Sequence, residues 1–282
     1  MKAVFGTNIK SPESKPDGLA LITRRPGEAA YSQYTKAAQQ LEAERSKGRV
    51  SPWMLYLQYF AYLISVFLFY NLLHAGLSSP ELYDRLRFLF PLAIVCSIAA
   101  IMLSVITWRK KKTAKESEAY LMAARETQGA IRQVYASMEL PQDAVPMDVF
   151  YYGYKVKKDK LVPYAKGVSM YVYDNKVVRV YRQADTLCIA DKEGVIPVSL
   201  QEISSIKTIK RTVAIPHWNK TVSFQLDPYK QFRISQNSYG FYSIPRYQRM
   251  TFLKNGETWE LLFPNYELPI MEKLTGMRAD QK

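Results

Sequence analysis

The side chains that most often do chemistry are scarce in this 282-residue chain: two histidines, His74 and His217, and two cysteines, Cys96 and Cys188. A histidine-dependent triad or a zinc site needs more of them, at closer spacing. No G-x-S-x-G, P-loop or G-x-G-x-x-G run is present. His217 precedes Trp218 in a predicted turn and reads as a turn residue stacking on its neighbour. Asp159, Asp174, Asp185 and Glu193 fall at predicted turns, where carboxylates cap and solvate. No catalytic, cofactor-binding or metal-ligating residue is assigned on these grounds, no cofactor is expected, and the pattern points away from an enzyme.

Cations are what the sequence does concentrate. Arg109, Lys110, Lys111 and Lys112, with Lys115 close by, form one cluster; Lys155, Lys157, Lys158 and Lys160, with Lys166, form a second; Lys207, Lys210 and Arg211 form a third. Lys and Arg side chains beside an anionic leaflet gain about 1 kcal/mol each. The first cluster reads equally as a topology signal, and the alternation of Lys155 and Lys157 as the solvated face of a strand. A basic, tyrosine-rich sheet also suits nucleic acid, a partner disfavoured by the apolar segments described next.

Lys and Arg outnumber Asp and Glu by nine to five over residues 1–52, equal them at two each over 53–108, and exceed them by 28 to 18 over 109–282. A neutral, apolar middle between two basic ends is the pattern of a membrane insert with both flanks on one side. The run 53–73 (WMLYLQYFAYLISVFLFYNLL) is long enough to cross a hydrocarbon core of about 30 Å at about 1.5 Å per residue. So is 88–108 (FLFPLAIVCSIAAIMLSVITW), and together they define a transmembrane hairpin over 50–112. Its basic flanks place both ends of the chain in the cytoplasm of a multi-pass cell-membrane protein. The N-terminal stretch has no apolar run of the signal-peptide kind, so insertion is expected to depend on the hairpin.

Between the two spans, Ser79 reads as a helix cap and Pro80 as a first helical residue, leaving a very short outer loop. Pro91 is expected to kink the second span. Ala93, Ser97, Ala100 and Ser104 form a small-residue packing stripe, and Gln58, Tyr62 and Ser65 a matching polar stripe on the first span.

Outside the hairpin, residues 1–27 read as a flexible tail and 28–49 as a cytoplasmic helix with a seam at Ala30, Tyr34, Ala37 and Leu41. The segment 113–140 reads as a second helix, almost unbroken from the membrane to Pro141, with a seam at Tyr120, Ala124, Thr127, Ile131, Val134 and Met138. The two are expected to pack as an antiparallel extension of the hairpin.

Past Pro141 the periodicity changes from about 3.5 to two, and 141–282 reads as an antiparallel β domain with its own core. Strands are predicted at 168–173 and 177–182 around a turn at Asp174-Asn175, at 186–190 and 195–200, at 203–215 and 221–226, and at 248–253 and 258–263 around Asn255-Gly256. A helix over 266–274, capped by Asn265 and ending at Gly276, closes the domain. The segment 227–246 reads as an elaborated loop.

The run TLCIADKEGVIPVSLQEISSIK (186–207), with WELLFPN (259–265) leading into the last helix, resembles the pleckstrin-homology (PH) superfold and its bacterial, GRAM-like membrane-associated versions. The resemblance implies an α+β protein whose β domain docks lipids or proteins, with basic residues near the first hairpin as lipid contacts. The expected function is a cytoplasmic PH-like scaffold for a protein partner or an anionic lipid surface. The alternative is a small accessory subunit of a membrane transport or secretion complex.

The charge asymmetry generates a topology test. Single cysteines at Ser14, Ser79 and Ser238 in a cysteine-free chain are expected to react with an impermeant thiol reagent in intact cells only at position 79. Labelling at 14 or 238 without permeabilisation reverses the orientation.

Overall fold

The computed structural model describes residues 1–10, 15–78, 80–164, 171–238 and 240–280. Ser14, the expected cap Ser79, Lys166 and positions 168–170 of an expected strand lie outside them, as do the side chains of Lys111 and Lys115. The chain is α+β and divides into two units: residues 29–133, and residues 1–28 joined with 134–282.

The first unit is helical: α1 (Glu28–Lys47), α2 (Pro52–Ser78), α3 (Pro80–Leu86), α4 (Leu89–Glu116) and α5 (Glu118–Ser137), which leads on into the second unit. Pro52 and Pro80 open α2 and α3, at the helical position where a missing N–H costs nothing. Because α4 starts at Leu89, Pro91 lies in its first turn, where no intrahelical bond is lost and no kink is required. The expected unbroken second helix is interrupted once. Ser117 is extended (ψ 140°) and its Oγ accepts from the Tyr120 N–H at 3.2 Å, ending α4 and capping α5. Ala37 and Thr127, one from each expected seam, are buried, and Thr127 Oγ1 donates to the Ala37 carbonyl at 3.1 Å. Helices α2 and α4 are each long and apolar enough to cross a membrane.

The second unit begins with β1 (Lys2–Ala3), β2 (Gly6–Asn8) and a 3-10 turn at Asp17–Leu21. After α5 come β3 (Val145–Lys157), β4 (Lys160–Pro163), β5 (Tyr171–Val172), β6 (Asp174–Gln183), β7 (Thr186–Asp191), β8 (Gly194–Ser199) and β9 (Ile203–Ile209). β10 (Val213–Ile215), β11 (Ser235–Gln236), β12 (Tyr242–Ile244), β13 (Tyr247–Lys254), β14 (Glu257–Pro264) and α6 (Leu268–Thr275) complete it. β3, β6, β7 and β8 form an antiparallel meander, β9, β13 and β14 a second antiparallel set, and α6 ends at Gly276 in the left-handed conformation (φ 74°).

β3 is buried on both faces, which is why its sequence does not alternate cleanly. Met147 and Val149 enter one apolar core with Ile189, Met250, Trp259 and Phe263; Phe150, Tyr152 and Tyr154 enter a second, aromatic core with Tyr173, Tyr247 and Leu262.

In the β unit four further expectations change. The sheets are mixed rather than purely antiparallel, since β1 pairs with β14, β2 with β3 and β5 with β10 in parallel. Asp174-Asn175 is not a turn but opens β6, because β3 supplies Phe150 and Tyr151 as cross-strand partners there. Residues 221–226 form no strand, because Trp218 draws the segment into turns: its indole N–H donates to the Val222 carbonyl at 2.9 Å and its ring packs on Tyr229, Tyr266, Phe224 and Tyr242.

The largest change concerns the N-terminal segment. Residues 1–10 and 15–28 belong to the β unit instead of forming a free tail. Val4, Phe5 and Leu21 are buried in the first core and Ala3 in the second. The Val195 N–H donates to the Arg24 carbonyl at 2.8 Å, and the Thr23 N–H to the Val195 carbonyl at 3.0 Å. That approach passes over Gly194 (φ 146°), where an added Cβ would lie 2.4 Å from the Arg24 carbonyl oxygen. A short apolar run (AVF) amid polar residues has no period to mark it as a strand. Its burial is decided by edges supplied from beyond residue 145.

A fragment of 141–282 is therefore expected to aggregate, whereas 1–28 joined by a short linker to 134–282 folds as a β-rich monomer, since the Gly27 N–H already bonds Ser137 Oγ at 3.0 Å. In that joined fragment Phe5→Ala is expected to cost about 3 kcal/mol in urea denaturation. A soluble, cooperatively folding 141–282 would overturn this assignment.

Candidate functional site

Three groups of candidate residues take their places in this frame. The first is the face shared by α2 and α4. Ala93 and Ala100 are fully buried, and Ser97 and Ser104 stand beside them. Gln58 Nε2 donates to Ser104 Oγ at 2.9 Å, the Tyr62 hydroxyl shares a 2.8 Å hydrogen bond with the same oxygen, and Ser65 pairs with Ser97 at 2.6 Å. Ser97 and Ser104 also donate to the Ala93 and Ala100 carbonyls, both at 2.8 Å, so each hydroxyl gives and receives. The small-residue stripe and the polar stripe thus meet in a hydrogen-bonded seam. The outward surface is the reverse, with Trp53, Leu63, Val66, Phe67, Tyr70 and Leu73 each at least 63% exposed.

The second group is the basic residues. Arg109 is exposed, Lys112 lies 5.2 Å over the Trp108 ring and 3.8 Å from Glu116, and Lys110 borders a cavity with Arg45 and Arg49. Lys157, Lys158 and Lys160 are exposed at the tip of the β3–β4 hairpin, with Lys155 half-buried one step back. Lys157 and Lys160 are cross-strand partners, and Lys158 and Asp159 make the left-handed turn (φ 48° and 57°). Two like charges opposed on a strand pair repel. Folding does not favour that arrangement, so it stands as exposed, unneutralised charge. The 660 Å³ cavity beside the hairpin is lined by Asp17, Asp159 and Glu257, and its Lys2 is paired with Glu257 at 2.8 Å. The lysine tip is a surface, and the adjoining hollow is acidic.

The third group is a buried ionic cluster that sequence reasoning missed. Asp148 on β3 and Glu267 before α6 are fully buried, and Lys220 reaches between them, paired with Glu267 and 4.0 Å from Asp148. Asn219 Nδ2 donates to Asp148 Oδ1 at 2.7 Å, the Tyr266 hydroxyl to Asp148 Oδ2 at 3.0 Å, and the Asp148 N–H to Glu267 Oε1 at 2.7 Å. Nothing local in the sequence signals this, because the partners come from β3, the Trp218 loop and the start of α6. Burial pushes the Glu267 carboxyl up to about 7, the Lys220 ammonium and the Asp148 N–H pull it down, and the Asp148 carboxylate adds to the rise. These bonds join members of the cluster to one another, so it pins the Trp218 loop to the sheet.

The other chemistry candidates are similarly occupied. Asn175 Nδ2 donates to the His217 carbonyl at 2.8 Å, which makes the histidine backbone a structural partner of β6. Cys188 is buried, and that burial raises its thiol pKa, the opposite of an activated nucleophile. Asp185 and Glu193 sit in the expected turns, whereas Asp174 lies in β6. Among the described residues no group of three or more His, Cys, Asp or Glu side chains is placed to hold a metal ion.

The ionic cluster has a pH signature. Folded Glu267 holds its proton more tightly than the unfolded chain does, so folding takes up a proton between pH 4.5 and 7 and stability falls across that window as pH rises. In urea denaturation of the joined fragment the decrease attributable to Glu267 is expected to reach roughly 3 kcal/mol. Glu267→Gln is expected to remove most of the slope, leaving the smaller contribution of Glu260, whose carboxyl is also raised by burial. An unchanged slope in the variant would reassign the proton uptake.

Compared with known proteins, the chain matches no family model, no curated protein and no solved structure, and its functional reading rests on the residues above.

Proposed function

We propose that this chain is an integral membrane protein in which α2 and α4 form a transmembrane hairpin and the β unit, on the cytoplasmic side, is a PH-like docking or scaffolding module. The inverted polarity of the α2–α4 pair carries the reading. Serine, glutamine and tyrosine polar groups are spent inside the seam, while large apolar and aromatic side chains cover the outside. In water that surface would far exceed the apolar patch a soluble monomer exposes; in lipid it is solvated, and the small-residue seam supplies the packing that lipid does not. A core helix of a soluble protein would show the opposite distribution.

Two features support a PH-like β unit: the order of a four-stranded meander, a three-stranded set and a closing helix, and the turn and strand placement of 186–207. Docking is favoured over catalysis because Asp148, Lys220 and Glu267 are committed to one another, whereas the lysine tip of β3–β4 is exposed. An anionic membrane surface or an acidic face of a protein partner fits that tip. The accessory-subunit reading also has an observation behind it. The outer face of α2 carries a groove of about 580 Å³ lined by Tyr59, Tyr62, Val66 and Tyr70, a shape suited to another membrane helix.

The full chain is expected to remain with membranes through alkaline carbonate extraction, and its release would overturn the anchor. The joined fragment 1–28/134–282 is expected to bind vesicles containing anionic phospholipid, with binding that weakens steeply as salt rises. Replacing Lys155, Lys157, Lys158 and Lys160 with Gln should abolish that binding, whereas replacing Lys207, Lys210 and Arg211 should have little effect. Equal losses from both sets would mean diffuse attraction to net charge. No binding by the unmodified fragment would leave a protein partner as the ligand.

A further inference from the structure

Where α1 passes into α2, and α4 approaches α5, the helical unit encloses a cavity of about 800 Å³. Its wall joins Arg45 from the last turn of α1 and Arg49 from the link to α2, Lys110 and Tyr120 from α4 and α5, and the apolar Val50 and Leu55. No Asp or Glu is among its described lining residues. Arg49 also pairs with Glu42, outside the cavity wall. Arg45 and Lys110, with Arg49 shared with Glu42, gather positive charge around one hollow whose described lining holds no carboxylate.

The depth of the cavity is set by the seam. The Gln58–Ser104 hydrogen bond aligns the start of α2 with the end of α4, so Leu55 lies about one turn towards the basic end and Trp53 and Trp108 fall at a common level beside the cavity. Both tryptophans are more than half exposed. Indole rings at that level, next to cations and above a surface dominated by apolar and aromatic side chains, are the arrangement found at the boundary between lipid headgroups and acyl chains.

We propose that this cavity is a binding site for an anionic phospholipid. The phosphate would be held by Arg45, Arg49 and Lys110, and the start of an acyl chain would lie along Val50 and Leu55. The site is distinct from the lysine tip of the β unit, and it rests on the membrane reading above. Guanidinium groups suit it because their planar forks bond two phosphate oxygens at once.

The test uses the full chain in phosphatidylcholine nanodiscs containing a small fraction of spin-labelled phosphatidylglycerol, with labelled phosphatidylcholine as reference. The chain is expected to immobilise the anionic label in preference to the neutral one. The variant R45Q/R49Q/K110Q is expected to lose that preference about tenfold, with helix content unchanged by circular dichroism. R45K/R49K should keep only part of it, because lysine keeps the charge without the planar fork, and K155Q/K157Q/K158Q/K160Q should leave it unaltered. A chain that inserts but shows no anionic preference, or that loses it equally in the β-tip variant, overturns the site while leaving the anchor standing. Failure to insert into neutral nanodiscs overturns the anchor itself, and this proposal with it. If millimolar inorganic phosphate displaces the labelled lipid and also binds the detergent-solubilised chain, the cavity takes a soluble phosphate and the lipid assignment falls.

Discussion

The constraint on which the architecture depends is the tie between the two places where the chain leaves and re-enters its β unit. The Gly27 N–H donates to Ser137 Oγ at 3.0 Å, and Arg24 Nη1 donates to the Met138 carbonyl at 2.9 Å. Everything between is an insertion whose ends are held together, so the start of α1 and the end of α5 lie side by side and the two helices run antiparallel. The Thr127–Ala37 hydrogen bond lies ten residues along each helix from that tie, which shows the two advancing in step. The same segment that makes the tie also carries Val4, Phe5 and Leu21 into the β core. Anchoring the insertion and completing the core are one event.

Inside the helical unit a different economy holds. Backbone groups are satisfied within each helix, and the polar side chains along the seam of α2 and α4 bond across it as well as to their own helix. Ser104 accepts from Gln58 and shares a hydrogen bond with Tyr62, while Ser97 takes Ser65. Interhelical hydrogen bonds of this kind are worth about 0.6 to 2 kcal/mol each in an apolar surrounding. They also fix register, because sliding α4 by one residue would turn both serines away from their partners. Ala93 and Ala100, both fully buried, let the helices come close enough for those bonds to form.

The β unit uses its ionisable groups as structure. Lys220 sits between Asp148 and Glu267, Tyr152 donates to Glu260 at 2.6 Å, and Tyr154 donates to Asp17 of the N-terminal segment. A buried carboxylate is costly unless paired, and each of these pairings joins elements distant in sequence. They act as registration points for a sheet system that the Trp218 loop and the N-terminal segment must join correctly. The charge left over, on the β3–β4 tip and at the base of the helical pair, lies where it can meet another molecule.

Much of this was legible in the chain of residues. Two uncharged, predominantly apolar runs of 21 residues, 53–73 and 88–108, determine two long helices because only the helix satisfies its own backbone over such a length. The stripe at Ala93, Ser97, Ala100 and Ser104 is legible because helical spacing converts directly into a face, and the β7–β8 and β13–β14 hairpins because their turn residues and alternation are local. Tertiary structure alone decided that AVF at the N-terminus is core, that β3 is buried on both faces, that residues 221–226 give up a strand to Trp218, and that Asp148, Lys220 and Glu267 meet. Three of these depend on a partner more than fifty residues away, and the turns at 221–226 depend on how Trp218 packs; sequence periodicity records how a segment faces a surface without saying which surface it will find. The cavity of Arg45, Arg49 and Lys110 belongs to the same class: its cations are plain in the sequence as flanking charge, and only the antiparallel return of α4 brings them around one hollow.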